Sequence, residues 1–206
     1  MDEQLFQKIV KNLVELKDTS ELMMDLAYSS LLLGSRELAE EVMRLEDHVD
    51  TIHHEFQLFI LSYEGAEKEA ESRLGLIEIG EVAERIADAS ADIAKVVLRG
   101  LELHPVMGLA IREAEETVVK ATVSKNSPLI GRALKESKIA ERTGMWILVV
   151  LRGNSWLRPT SETIIQSGDI LIASGYARGV DDFKKIAGEE AKRKRSRIPL
   201  KRRSGR

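Results

Sequence analysis

The sequence predicts an α+β protein, in which an N-terminal antiparallel three-helix bundle precedes a small module of βαβββα order. Two observations support this fold class. Residues 1–100 contain no proline and carry apolar residues at steps of three and four, the period of helices that bury one face. Residues 127–188 instead alternate short apolar runs with turns. A chain of 206 residues is long enough for two such domains.

Three long helices are predicted within residues 1–100. Apolar residues outline the first helix from Leu5 to Leu31, and Gly34 breaks it. Ser35 then caps a second helix, because its hydroxyl can accept from N–H groups of the first turn. The second helix carries a stripe formed by Leu38, Val42, Leu45, Val49, Ile52, Phe56 and Phe59. The third begins between Gly65 and Gly75 and carries Ile79, Val82, Ile86, Ala89, Ile93 and Val96. We expect these stripes to face one another in an up-down-up bundle, since helices with a single apolar stripe are stable mainly when that stripe is buried against other helices.

The second half of the chain is predicted to form an antiparallel sheet with helices. Strands are expected over residues 117–123, 146–151 and 170–174, where β-branched residues are frequent. Between the last two, Arg152–Ser155 predicts a hairpin, because Gly-Asn supplies the positive φ angles of a tight turn. Residues 178–187 read as a closing helix that Gly188 ends.

Charge divides the chain unevenly. Residues 1–100 carry 22 acidic and 10 basic side chains, whereas residues 189–206 carry 9 basic and 2 acidic ones. The basic tail lacks apolar periodicity, so we expect it to be disordered when free. Such a tail can touch an anionic membrane surface, hold nucleic acid nonspecifically or stay solvated. Nucleic acid is not the partner that we expect.

Two acidic ladders run along the predicted helices. Glu46 and Asp50 are four residues apart on the second helix, and Glu84, Asp88 and Asp92 follow the same spacing on the third. Like charges at this spacing repel, and a hard cation bound between them would reverse that repulsion. These five residues are therefore candidate metal ligands. The alternative is a solvated acidic face, which is the commoner outcome for an arbitrary helix.

Three residues near the hairpin are candidate ligand-binding groups. Arg152, Asn154 and Arg158 together offer two guanidinium groups and an amide to a small anionic effector. The alternative is that they are surface residues of the hairpin and bind no ligand.

Catalytic motifs are absent from the sequence. It contains no cysteine, P-loop, GxSxG, HExxH or GxGxxG motif. We therefore expect no enzymatic activity and no NAD site of the usual kind. No apolar stretch approaches the roughly 20 residues of a membrane span, and no secretory signal is visible, so a cytoplasmic protein is expected.

The C-terminal half resembles a known family. Residues 128–134, 147–153 and 168–175 resemble in sequence and order the TrkA C-terminal domain, also called RCK_C, of potassium-channel and cation-transporter regulators. The resemblance implies dimerisation and the binding of a small effector. In some members that effector is a cyclic dinucleotide held at the dimer interface.

The N-terminal half resembles one repeat of the PhoU family. Residues 37–42, the Glu46-x-x-x-Asp50 motif and residues 84–88 carry this resemblance. It implies that the acidic ladders can bind iron or zinc. The chain departs from the family in having one repeat instead of two, and in having Asp92 where the family often has asparagine.

Together these patterns predict a regulatory protein of two domains. We expect a PhoU-like bundle over residues 1–104, a TrkA-C-like ligand-sensing domain over residues 105–188 and a basic tail over residues 189–206. The leading hypothesis is a homodimeric, non-enzymatic regulatory subunit of a membrane cation channel or transporter, for potassium, acting at the inner face of the membrane. The alternative is a phosphate-signalling or metal-binding adaptor in which the C-terminal domain only dimerises.

Overall fold

Three long helices form the N-terminal domain in the computed structural model, which describes residues 3–63, 70–100, 106 and 116–188. Helix α1 spans Glu3–Leu33, α2 spans Arg36–Ser62 and α3 spans Ala70–Leu98. Each helix packs against the other two, which confirms the predicted bundle. Ser35 is extended and accepts a hydrogen bond from the N–H of Leu38, so the predicted cap of α2 is confirmed.

The bundle core confirms the stripe of α2 and corrects that of α3. From Leu38 to Phe56 the predicted residues of α2 are buried. On α3, in contrast, four of the five large residues of the predicted stripe are exposed: Ile79, Val82, Ile86 and Val96. The fifth, Ile93, is half-buried against the bundle core. The prediction that this stripe faces the bundle was therefore wrong for most of its length. The buried residues of α3 are small: Gly80, Ala83, Ala87, Ser90, Ala91 and Ala94.

Helix α3 buries its small residues instead of its large ones because it approaches α2 closely. A Cβ atom added at Gly80 would lie 2.7 Å from Cε1 of the fully buried Phe56 ring. Helices can come this close only through glycine, alanine or serine at the contact. Large aliphatic side chains on that face would force the helices apart.

The C-terminal domain contains a four-stranded antiparallel sheet in the order β1-β4-β2-β3. The strands are β1 (Glu116–Thr122), β2 (Met145–Arg152), β3 (Ser155–Leu157) and β4 (Ile170–Tyr176). The predicted hairpin is confirmed: Arg152 pairs with Ser155, and Gly153 between them has φ of 60°. Predicted and observed strand ends mostly differ by one residue.

Within residues 116–188, three short helices complete the domain. Helix α4 spans Leu134–Ser137, α5 spans Ile139–Thr143, and α6 spans Val180–Ala187 after a 3-10 turn. The order is thus βαβββα, as predicted, with the first helix split in two. Gly188 ends α6 in the left-handed region, at φ of 86°.

The sheet is covered on both faces. Val119, Ala121 and Leu171 point to α6 and belong to a core around the buried Phe183. On the opposite face, Val149 and Ile172 are fully buried in the same cluster as the bundle residues. The sheet of one domain and the helices of the other therefore share one hydrophobic core. The predicted domain boundary at residues 104/105 and the basic tail lie outside the described residues.

Ion pairs flank this shared core. Lys120 of β1 lies 3.8 Å from Glu37 of α2. Arg158, which follows β3, pairs with Glu21 and also lies 3.7 Å from Asp18, both on α1. These side chains are partly exposed, so each pair adds little stability by itself. Their contribution is to orient the sheet on the helices.

Candidate functional site

A groove of about 300 Å³ opens on the C-terminal domain between α4, α5, the start of β2 and residues 159–161. Its apolar wall includes Leu134, Trp146 and Ile147, and its polar wall includes Lys135, Glu141 and Ser161. The groove thus joins an apolar and aromatic surface to one lysine, one glutamate and hydroxyl groups. Small-molecule sites in proteins commonly combine these features.

Backbone hydrogen bonds fix the walls of this groove. The N–H of Leu134 donates to the carbonyl of Thr163 at 3.0 Å, and that of Lys135 donates to Ser161 at 3.0 Å. Between α4 and α5, Lys138 adopts a left-handed conformation with φ of 49°, which separates the two helices. These contacts are made within the chain and hold residues 134–135 against residues 161–163.

Two side chains of the groove are placed to meet a ligand. The ring of Trp146 is 53% exposed and packs edge-to-face on Tyr176, with the ring centroids 6.5 Å apart. The ammonium group of Lys135 lies 2.7 Å from Glu162 in an exposed ion pair. An aromatic surface beside a lysine suits a ligand that carries a ring and an acidic group able to replace Glu162 on Lys135.

Arg152, predicted to bind ligand, forms a two-point ion pair with Asp169. Its Nε donates to Oδ1 of Asp169 at 2.9 Å, and its Nη2 donates to Oδ2 at 2.8 Å. The side chain of Asp169 is only 1% exposed. Burial would raise the pKa of Asp169, but Arg152 and the N–H of Gln166 together hold that pKa below its usual value. This pair ties the end of β2 to the start of β4.

The other two predicted ligand-binding residues lie elsewhere. Arg158 pairs with acidic residues of α1, as described above. Asn154 is exposed at the tip of the hairpin, where it lines a cleft with Glu37, Glu41 and Arg44 of α2. The structure therefore does not bring Arg152, Asn154 and Arg158 together around one pocket. A ligand-binding role for them stays a prediction.

The acidic ladders meet at the contact between α2 and α3. Burial, followed by the charge of Asp88, raises the pKa of Glu84 above its usual value; Asp50 of α2 raises it further, and His53 lowers it. Asp50 and Asp88 therefore both lie near enough to Glu84 to disfavour its charged form. This convergence depends on helix register, which sequence periodicity does not determine.

Lys95 occupies the other end of the ladders. Its Nζ lies 3.6 Å from Glu46 and 3.1 Å from Asp92. Within residues 3–63, 70–100, 106 and 116–188, no group of three or more His, Cys, Asp or Glu side chains is arranged to hold a metal ion. Glu46 and Asp92 thus have the ammonium group of Lys95 beside them. The five predicted ligands are not arranged around a common point where an ion could bind. Metal binding stays a prediction.

Sequence reasoning missed the groove residues Lys135, Trp146, Thr160 and Ser161. No local pattern links residues 134–135 to residues 160–163. They meet through backbone hydrogen bonds and through the isolated bridge between Ala133 and Ile164. A tryptophan at the start of the predicted strand 146–151 was the one signal that the sequence offered. Among the described helices, none is long and apolar enough to cross a membrane.

Family comparisons agree with this architecture. Residues 13–97 match the PhoU domain, and residues 118–188 match the TrkA-C domain. The chain therefore carries a PhoU domain followed by a TrkA-C domain, and both resemblances are confirmed.

Two relatives are similar over part of the chain. "Potassium channel protein 1" of Methanocaldococcus jannaschii is 30% identical over 95 residues, covering 46% of this chain and 28% of that protein. "Probable sodium/sulfate cotransporter 3" of Chlamydomonas reinhardtii is 26% identical over 129 residues, covering 62% of this chain and 14% of that protein. The chain thus spans less than a third of either relative.

Solved structures with local similarity include the GsuK RCK domain, at 23% identity over 38% of this chain and 17% of that one. The GsuK channel bound to NAD is 18% identical over 56% of this chain and 21% of that one. S. agalactiae BusR in complex with its busAB-promotor DNA is 13% identical over 84% of this chain and 97% of that one. All three have a TM-score of 0.33.

Proposed function

We propose that this protein is a non-enzymatic regulatory subunit of a membrane cation channel or transporter, with potassium as the cation. The observation that carries the proposal is the core shared between the sheet of the TrkA-C domain and the PhoU helices. A ligand that displaces the sheet must also displace the helices, because Val149 and Ile172 are buried among them. A relative named as a potassium channel protein, similar over 95 residues, supports the class of partner.

The groove beside Trp146 is the proposed sensing site. Thr160 and Ser161 supply hydroxyl groups, the Trp146 ring offers a stacking surface, and the charge of Lys135 becomes available when its exposed pair with Glu162 opens. Glu141 also lines the groove. These groups suit a small effector whose anionic group binds Lys135 and whose ring stacks on Trp146, such as a cyclic dinucleotide. The absence of GxGxxG from the sequence makes NAD a poorer candidate.

A short covalent path joins this groove to the helices. Thr160 lines the groove and is two residues from Arg158, which pairs with Glu21 of α1. Movement of residues 159–161 on ligand binding would therefore strain or release the contact with α1. Regulation requires the ligand to favour one arrangement of the domains over another, which this path makes possible.

Thermal unfolding of the full chain with cyclic di-AMP, cyclic di-GMP or ATP tests the site. A ligand at 100 times its Kd should add about 2.7 kcal/mol of stability. The rise in Tm should be lost in Lys135→Ala and Trp146→Ala but kept in Lys125→Ala, an exposed lysine outside the groove. No rise with any of the three ligands, or an equal rise in all variants, would contradict this sensing site.

The partner is tested separately by capture from membranes. Immobilised protein should retain a cation channel or transporter from detergent-solubilised membranes of the source cells. Arg158→Glu, which disturbs the contact between the domains, should change the ligand dependence of that capture. Recovery of membrane proteins of other classes only would contradict the proposed partner.

A second candidate function is a metal-binding PhoU-type adaptor, since Asp50 of α2 and Asp88 of α3 both raise the pKa of Glu84 at the α2–α3 contact. Elemental analysis of protein incubated with iron or zinc and then desalted tests this role. Bound metal that is lost when Glu46, Asp50, Glu84 and Asp88 are changed to alanine, together with no ligand-induced rise in Tm, would favour the adaptor.

A further inference from the structure

Helix α3 presents a row of large apolar side chains to solvent. Ile79, Val82, Ile86 and Val96 are 55%, 46%, 38% and 40% exposed. Beside them, a groove of about 300 Å³ runs between α3 and α1, where Met24 and Tyr28 are 41% and 52% exposed. Apolar residues that line one continuous face of a helix are typical of an interaction surface, unlike apolar residues scattered singly.

The spacing of this row is that of a helix–helix seam. Isoleucine recurs every seven residues at Ile79, Ile86 and Ile93, and small or β-branched residues recur between them at the same interval. The second set consists of Gly75, Val82, Ala89 and Val96. Alternating steps of four and three along a helix define the seam of a coiled coil. On α3 most of this seam lies outside the small-residue face that packs inside the bundle, and Ile93 is half-buried at the border between the two.

Charged residues beside the seam alternate in sign. Glu78, Arg85, Asp92 and Arg99 are seven residues apart, flank the seam on one side and are all exposed. The corresponding residues on its other side are Leu76, Ala83, Ser90 and Val97, which carry no charge. In a parallel pair the charged flank of one helix would meet this uncharged flank, whereas in an antiparallel pair it meets its own equivalent.

The charges also select one antiparallel register. Where Arg85 of one copy meets Asp92 of the other, Glu78 meets Arg99, and two-fold symmetry repeats both pairs. In this register the facing seam residues are Ile79 with Val96, Val82 with Ile93, and Ile86 with Ala89. A slip of seven residues in one direction would place Arg85 against Arg85, and in the other direction Asp92 against Asp92. Both alternatives are repulsive.

We propose that α3 pairs antiparallel with α3 of a second copy of this chain, in that register, with the two-fold axis between Ala87 and Asp88. The second copy's helix also covers Met24 and Tyr28 of α1 in the neighbouring groove. The occupant is another copy because the charge pattern is complementary to itself, as a two-fold interface requires. This surface lies on the PhoU helices and does not rest on ligand sensing by the TrkA-C domain.

Charge reversal tests the pairing. Arg85→Glu should weaken self-association of the full chain at least tenfold in sedimentation equilibrium, because it places a second carboxylate opposite Asp92 at two symmetric positions. Asp92→Arg should do the same, and the double variant should restore association. Glu81→Lys, an exposed charge change on α3 away from the flank, is the control. Unchanged association in the single variants, or no recovery in the double variant, would overturn the proposal.

Cross-linking tests direction and register independently of any other interface. The chain has no cysteine, so introduced thiols report single positions. Val82→Cys combined with Ile93→Cys should give covalent dimers with a short bismaleimide, because these residues face each other across the seam. Each single substitution should not, since equivalent positions then lie far apart along the helices. Dimers in the single variants would indicate a parallel pair, and no dimers in the double variant would exclude this interface.

Discussion

Losing the ion-pair partner would cost Asp169 more free energy than it would cost Arg152. Asp169 is buried, whereas Arg152 is 32% exposed and could turn towards water. Removing the arginine would therefore strand a buried carboxylate, which is the costlier of the two changes. This role explains the arginine without a ligand.

We expect Arg152→Ala to lower the free energy of unfolding by about 3 kcal/mol at pH 7. Because the folded-state pKa of Asp169 is lowered, the stability that the pair contributes is present above the unfolded value of about 3.9 and is lost as pH falls through the folded pKa. The difference between variant and wild type should thus shrink at pH 3. Urea unfolding at both pH values measures this, with exposed Arg142→Ala as control. An equal difference at both pH values would contradict the assignment.

The pKa of Glu84 is shifted in the opposite direction to that of Asp169. Its folded-state pKa is raised, mainly by burial and then by Asp88, so its charged form is less favourable in the folded protein than in the unfolded chain. We expect Glu84→Gln to stabilise metal-free protein at pH 7 by about 0.5 kcal/mol, with the gain vanishing at pH 3. Thermal unfolding in EDTA measures this, with Glu81→Gln as control. If iron or zinc binds the ladders, Glu84→Gln should be less stable than wild type once that metal is added. A variant that is less stable than wild type in EDTA would contradict the prediction.

At the scale of elements, α3 depends on its small-residue face. We expect Gly80→Ala to destabilise the bundle by about 2 kcal/mol, because the new methyl group would overlap the Phe56 ring, 2.7 Å away, and this outweighs the better helix propensity of alanine. Gly75→Ala, on the same helix with no atom within 4 Å of its added Cβ, should instead be neutral or stabilising by up to about 1 kcal/mol. Chemical denaturation of both variants measures the two changes in the free energy of unfolding. Similar effects would mean that α3 does not approach α2 so closely.

At the scale of the whole molecule, Arg158 links the TrkA-C domain to α1. Arg158→Glu would face Asp18 and Glu21 with a third carboxylate, and we expect faster hydrogen exchange in residues 18–25 and about 1 kcal/mol of lost stability. Adding Glu21→Arg to that variant should recover most of the loss. Exchange that stays at the wild-type rate in the single variant would indicate that the buried core alone holds the domains together.

Elements whose cause is local were predicted well. Ser35 caps α2 and Gly153–Asn154 turns the hairpin because both act through their own backbone neighbours. The stripe of α2 was assigned correctly because that helix has one strongly apolar face. Helix α3 has two candidate faces, one of large aliphatic residues and one of glycine and alanine. Hydrophobicity favoured the first, and close packing against Phe56 selected the second.

The sequence by itself determined the order of the elements, the two domain families and the residues that carry charge, because these depend on period, turn chemistry and composition. Only the tertiary structure decided which face of α3 is buried, that Arg152 pairs with Asp169, and that Lys135 and Ser161 share a groove with Trp146. Each of these depends on distances between segments far apart in the chain. Such distances are set by the volume of the side chains packed between them, which no local pattern encodes.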